Sequence, residues 1–308
     1  MKLYAPKYYC EFKCIADKCR HSCCVGWEID IDDETMQKYL SAQDFPANSY
    51  SARIKDSIDM NETPHFRLCE GERCPHLRED GLCKIILQSG EDFLCHICRE
   101  HPRFYNDTSR GKEVGLGLCC EEACRIILGS DDYDQIVPMG EIADEENSNE
   151  LDTIALREHI YFILKNDRLA YTQKLQKIYD EFGVSPADVD NDTARELISS
   201  LEYMYEGHRE LFCAYSSSTD TPEELHKPLE RALAYFVFRH CTEAQDETEY
   251  RATLGFCLFC ERLLASVAAA QGINTFDGFA ELARIVSEEL EYSEQNTADI
   301  KFEFEIKI

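Results

Sequence analysis

Thirteen of the chain's 17 cysteines lie between Cys10 and Cys124, as Cys14-x4-Cys19-x3-Cys23-Cys24, Cys74-x8-Cys83, Cys95-x2-Cys98 and Cys119-Cys120-x3-Cys124 among others. Thiolate sulfur is the donor that zinc and iron–sulfur clusters share, so this density points to a metal centre. Zinc held by four cysteines normally uses two short knuckles, and here only Cys95-x2-Cys98 and the first group have that spacing. The scattered Cys74, Cys83 and Cys120 suit a cluster better, because its larger body collects ligands from separate loops. A four-thiolate site is anionic, and Lys13, Lys18, Arg20, Arg99, Arg103 and Arg125 lie close enough in sequence to offset it.

Other chemistries fit less well. A C-x3-C-x2-C cluster loop would need cysteine at Gly26 after Cys19-x3-Cys23, or at Asp17 after Cys10-x3-Cys14. A thioredoxin-like reading of Cys95-x2-Cys98 lacks the surrounding βαβ pattern. His21, His76, His96 and His101 sit among the cysteines and could ligate zinc, although a lone histidine is more often a polar surface or core residue. Gly115-x-Gly117 has no third glycine, Cys120 standing in its place, so no dinucleotide-binding loop is expected.

The elements that would position these thiols fall into two parts. Residues 1–145 are expected to form an irregular cysteine-rich domain with short strands, and residues 146–308 a helical domain, giving a mainly α protein. The segment 129–150, with Pro138, Gly140 and the acidic run at Asp144, predicts a solvated linker. In the first part, Glu28–Ile31 alternates as a strand would. Asp32 and Asp33 can cap a helix through Met36, Tyr39 and Leu40, and Arg78-Glu-Asp-Gly81 predicts a tight turn. In the second, Thr193 and Glu196 form a capping-box pair ahead of an apolar face running to Phe212. Thr221-Pro-Glu-Glu opens another helix, residues 247–271 read as a central helix apolar around most of its circumference, and Thr275–Ser293 gives one more. Ile300 to Ile308 alternates with period two and predicts a strand. Cys241 and Cys257 fall on apolar helix faces, where free cysteine behaves as a small hydrophobe, and the helical setting of Cys257-x2-Cys260 favours packing over ligation.

The formal charge is −28 and is uneven: residues 1–125 carry 17 basic and 22 acidic groups, −5, and residues 126–308 carry 15 and 38, −23. Nucleic acid is therefore not an expected partner. A negative surface favours solubility and would steer a lysine-bearing protein toward it. The opening MKLYAPKYYC holds no apolar run, so neither a secretory signal nor a membrane span is expected, which places the protein in the cytoplasm. In that reducing compartment, thiols bind metal or do redox chemistry rather than form a disulfide framework.

The first 128 residues resemble the flagellin lysine-N-methylase family. The likeness is carried by Phe12-Lys-Cys14 through Cys19, Cys23-Cys24, Gly26-Trp27 and Ile31-Asp32. It continues through Cys74-Pro-His-Leu77, Gly81-Leu-Cys83, Cys98 and Pro102-Arg103, and ends in Cys120-Glu-Glu-Ala123 with Arg125 and Leu128. By that resemblance the metal thiols are Cys14, Cys19, Cys23, Cys24, Cys74, Cys83, Cys98 and Cys120. It implies a 4Fe-4S cluster, with zinc as the alternative, and transfer of methyl groups from S-adenosylmethionine to lysines of flagellin or another lysine-bearing protein. The chain departs from the family at Cys119-Cys120-Glu121-Glu122, where a small residue and Cys-Pro-Glu are usual, and at His21-Ser22, where an acidic dipeptide is. From the matched block, Trp27, Asp30 and Asp32 are candidates for orienting and deprotonating the lysine amine; a core role for Trp27 and a capping role for the aspartates compete with this. A non-catalytic zinc module and an iron–sulfur electron carrier are the alternative functions.

Overall fold

The longest apolar stretch sets the architecture. In the computed structural model, which describes all residues except 42–48, 62, 143–150, 218–219 and 308, that stretch is helix α10, Glu247–Gln271. Asp246 caps its start by accepting from the Glu249 amide, and Gly272, at φ 66°, ends it. α10 is long and apolar enough to cross a membrane, but 94% of its apolar window is buried by neighbouring protein. It is the core helix of a bundle.

In chain order the elements are β1 (Lys2–Pro6), α1 (Asp33–Leu40), β2 (Ile58–Asp59), β3 (His65–Phe66), α2 (Lys84–Ser89), α3 (His96–Glu100), β4 (Arg103–Thr108), β5 (Gly111–Leu116), α4 (Glu121–Gly129) and β6 (Ile136–Glu141). Then come α5 (Thr153–Leu164), α6 (Tyr171–Phe182), α7 (Asn191–Ser200), α8 (Glu206–Phe212), α9 (His226–His240), α10, α11 (Phe276–Leu290) and α12 (Glu294–Glu305). The protein is mainly α. Contacts divide it into two compact units: residues 1–12 with 104–308, and residues 13–103.

In the larger unit, α9, α11 and α12 pack on α10, and α4 packs on α9 and α11. A four-stranded sheet in the order β4-β5-β1-β6 completes it, β1 running parallel to β5 (Leu3 opposite Lys112) and antiparallel to β6. β6 occupies part of the stretch expected as linker. Pro138 is tolerated there because β6 is an edge strand. The expected boundary near residue 145 lies outside the described residues. Gly115 is a packing glycine: a Cβ there would lie 2.3 Å from the Phe104 ring.

Two helix expectations need correction. Residues 300–305 are helical, not a strand: Ser293 caps α12, and Ile300 and Phe304, one turn apart, are buried while Phe302 faces solvent. The alternating pattern thus holds a helical i, i+4 pair that α10 selects, and Gly255 of α10 makes room for the Phe304 ring, whose Cγ would sit 2.4 Å from a Cβ. The single helix expected through Phe212 is broken between Ser200 and Glu206. Its amides are taken elsewhere: Glu289 accepts from Met204 and Tyr205, at 2.8 and 3.3 Å, and Asn296 accepts from Glu202 at 2.8 Å. The N-cap of α7 is Asp190, which accepts from Asp192 and Thr193. Thr221-Pro-Glu-Glu leads into a short 3-10 turn, Glu223–Leu225, and α9 begins at His226.

The smaller unit is irregular, with three short helices and a two-stranded sheet of β2 and β3 among the described residues. Glu28–Ile31 is not a strand, contributing only an isolated bridge, Asp30 to His65. The Arg78–Gly81 turn is present: Gly81, at φ 79°, donates to the Arg78 carbonyl, and Arg78 donates to Leu82. Twelve buried residues form the core of this unit, among them Ile31, Met36, Tyr39, Phe66, Cys74 and Cys95.

Candidate metal centre

Backbone pairing brings the thiol-bearing segments of the smaller unit together. The Cys74 amide donates to the Cys24 carbonyl at 2.8 Å, and an isolated bridge joins Leu77 to Cys83. Cys83 stands at the N-cap of α2 and Cys95 at the N-cap of α3, whose third residue is Cys98. N-cap sulfurs face amide groups that have no intrahelical partner, which favours the thiolate. The Ile85 and Ile86 amides act this way on Cys83, although burial outweighs them and its pKa is raised.

The placement of α3 follows from Asp32. One carboxylate oxygen accepts from the Thr35 amide at 2.9 Å, capping α1, and the other accepts from the His96 amide at 2.7 Å, at the start of α3. Burial opposes its ionisation, yet the His96 and Thr35 amides hold its carboxyl below the usual value. A single side chain therefore anchors the beginnings of both helices.

The sulfurs meet in two groups, Cys23, Cys24 and Cys74 in one and Cys95 with Cys98 in the other. Cys24 takes hydrogen bonds from Cys23 and Cys74, which pull its pKa down to about 3, and Cys74 is raised by the same bond and by burial. Cys95 is lowered by its bond from Cys98, and Cys98 is raised in turn. The groups feel each other: Cys98 is raised further by the charge of Cys24 and Cys74, and Cys83 by that of Cys24 and Cys95. In each group one sulfur is favoured as the anion and the neighbour that donates to it as the thiol. Deprotonated sulfur is the form that ligates soft metal. Among the described residues, no three His, Cys, Asp or Glu side chains are placed to hold one metal ion. The donor chemistry fits a thiolate-held centre, its sulfurs standing as a group of three and a group of two with Cys83 near both.

The other candidates are placed as follows. Cys14 is exposed and accepts from the Ala16 amide, and Cys19 donates to the His21 carbonyl. Cys120 lies in the other unit, at the N-cap of α4. His76 is a core residue: Nδ1 meets the Tyr50 hydroxyl, Nε2 meets Ser57 Oγ at 2.9 Å, and burial pushes its pKa down to about 4. Trp27 packs half-buried against the apolar cluster, and Asp30 is exposed. Arg99 pairs with Glu100 and Arg125 with Glu122. Cys95, absent from the eight thiols implied by resemblance, is fully buried within the group. Its x2 spacing from Cys98 was the available signal.

The likeness to the flagellin lysine-N-methylase family is shown by curated relatives. The chain is 29% identical over 133 residues to a lysine-N-methylase of Salmonella typhimurium and to another of Salmonella choleraesuis, covering 41% of this chain and 32% of each relative. It is also 29% identical over 133 residues to the flagellar biosynthetic protein FliU of Salmonella muenchen, covering 77% of that protein. The match thus spans about a third of the length of the two methylases. No family model matches the chain, and no solved structure does.

Proposed function

We propose that this chain is an S-adenosylmethionine-dependent protein-lysine N-methylase of the cytoplasm, whose cysteine-rich unit holds a 4Fe-4S cluster and whose substrate is flagellin or another lysine-bearing protein. The observation that carries the metal part is the gathering of Cys23, Cys24, Cys74, Cys83, Cys95 and Cys98, with two of the six sulfurs held toward the thiolate. The methylase part rests on relatives bearing that name. The flagellar part rests on the third.

Cys24, Cys74, Cys95 and Cys98 would hold the group, with Cys23 and Cys83 beside them. Cys14 and Cys19, added by resemblance, would supply further thiols; Cys120, also implied by it, stands in the other unit. A bound cluster would supply electron transfer. The protein's own share is to hold Cys24 and Cys95 toward the thiolate and to shield the group: Cys74 and Cys95 lie in the apolar core, while Cys24, Cys83 and Cys98 pack at its edge. The substrate lysine must lose its proton before it accepts a methyl group, which a nearby carboxylate can take up.

The test is anaerobic purification followed by iron, zinc and sulfide analysis, then incubation with S-adenosylmethionine and flagellin. The expected result is a brown protein that raises the flagellin mass in methyl-sized steps. An unchanged mass with cluster-loaded protein overturns the methylase reading, and a colourless zinc protein overturns the cluster.

A further inference from the structure

The loop that leads into Cys74 carries a second feature. Residues 69–73 form a tight turn in which the Cys69 amide donates to the Arg73 carbonyl at 2.7 Å, and beyond it lies an open depression of about 620 Å³. Cys74 borders this depression, so its space reaches the edge of the thiol group. The size lies within the usual range for small-molecule sites, roughly 300–1,000 Å³.

Its charges are specific. Arg78 and Asp80 both line it, but they neutralise each other in a two-point pair, with Nε to Oδ1 at 2.9 Å and Nη2 to Oδ2 at 2.6 Å. Arg73, Lys84 and Glu79 also line it, and among the described residues none of the three is in an ion pair. Arg73 donates only to the Arg78 carbonyl, at 3.4 Å. The chain has 60 acidic and 32 basic residues, so two cations left without a carboxylate around one depression run against its overall balance. Two cations and one anion at the rim of a small space complement a zwitterion: a carboxylate suits a guanidinium and an ammonium, and an α-ammonium suits a carboxylate. Pro75 and Leu77 add apolar surface between them.

We infer that this depression binds the α-amino-acid head of a nucleoside methyl donor, its carboxylate on Arg73 and Lys84 and its ammonium on Glu79, with the nucleoside over Pro75 and Leu77. The inference rests on the methylase reading, since that reading supplies the donor. It places the donor at the margin of the thiol group, beside Cys74.

Calorimetric titration of the full, metal-loaded chain tests it with three probes: S-adenosylhomocysteine, which has both parts; 5′-methylthioadenosine, which lacks the amino-acid head; and methionine, which lacks the nucleoside. Wild type should bind the first most tightly. The double variant Arg73→Gln with Lys84→Gln should weaken it at least tenfold and leave 5′-methylthioadenosine unchanged, Glu79→Gln should weaken it several-fold, and Arg73→Lys should restore part of the loss. Arg73 is exposed and Lys84 half-buried, and unchanged metal content and circular dichroism will show that the fold is intact. Equal binding of S-adenosylhomocysteine to wild type and the double variant overturns the site while leaving the methylase reading in place. No binding of it to wild type defeats the methylase reading itself. Methionine binding as tightly as the full probe overturns the nucleoside half and assigns the depression to a free amino acid.

Discussion

The two units use the same side chain in opposite ways. In the helical unit, Cys241, Cys257 and Cys260 are buried on α9's C-terminal edge and on α10, with the Cys241 and Cys257 sulfurs 3.7 Å apart. Burial pushes the Cys257 and Cys260 thiols well up, so they stay neutral and act as apolar filler. Both units have thiol-to-thiol hydrogen bonds, but in the cysteine-rich unit they draw Cys24 and Cys95 toward the anion. What a cysteine does is therefore decided by the polarity of its neighbours rather than by its depth. The same contrast extends to the cores. The helical unit buries more than fifty apolar residues around α10, whereas the smaller one relies on twelve. A thin core is where metal bonds would contribute most to folding.

The comparison breaks most visibly if the thiols of the two units prove interchangeable. Replacing Cys24 and Cys98 together with Ala should release the metal and cost the smaller unit on the order of several kcal/mol, enough to unfold it. Elemental analysis and hydrogen exchange resolved by segment would read this, with protection lost across residues 13–103 and kept in α10.

A second, smaller effect probes the helical unit by a different route. Arg157, 1% exposed, donates to both oxygens of Glu113 at 2.6 and 2.9 Å, and Arg110 adds a third contact. Arg157→Ala leaves the buried Glu113 carboxylate with Arg110 alone and should lower stability by about 3 kcal/mol, the low end for breaking a buried pair. Burial alone would raise the Glu113 pKa, but Arg157 and then Arg110 hold it below its ordinary 4.5. A depressed carboxyl contributes stability that is fully present above the ordinary value and is lost as pH falls through the depressed one. Thermal melts between pH 6 and pH 3 should show that loss in wild type and a smaller slope in the variant; equal slopes would remove Glu113 as the source.

The smallest effect sharpens the thiol contrast. Cys257→Ala should cost about 1 kcal/mol, a core-packing increment, with no change in metal content. Metal loss in that variant would show that the buried helical thiols had been sorted wrongly.

Much of this contrast was legible in the residues. The α10 run, the Asp32 cap and the Arg78–Gly81 turn are local patterns with local causes, and they stand in the structure as read. The misread segments are those whose partners are distant in sequence. The break before α8 exists because Glu289 and Asn296 take up amides 84 to 94 residues earlier, and α12 is helical because α10 receives Ile300 and Phe304. Neither cause is visible in the segment concerned. In the thiol group, the pairing of Cys24 with Cys74 likewise depends on a strand-like contact across 50 residues, whereas Cys95 with Cys98 could be read from spacing alone.

The Asp32 carboxylate has a consequence for assembly. It fixes the start of α3 from 64 residues away, and the gathered sulfurs themselves run from Cys23 to Cys98. A ribosome delivers the first two of them long before the last. Closing so long a loop costs entropy that no early contact repays. On the proposed metal reading, the early thiols are thus open to capture by the wrong ion until residue 98 is synthesised, and a cell short of the right one would accumulate a chain with a folded helical unit and a mismatched ion on its thiols.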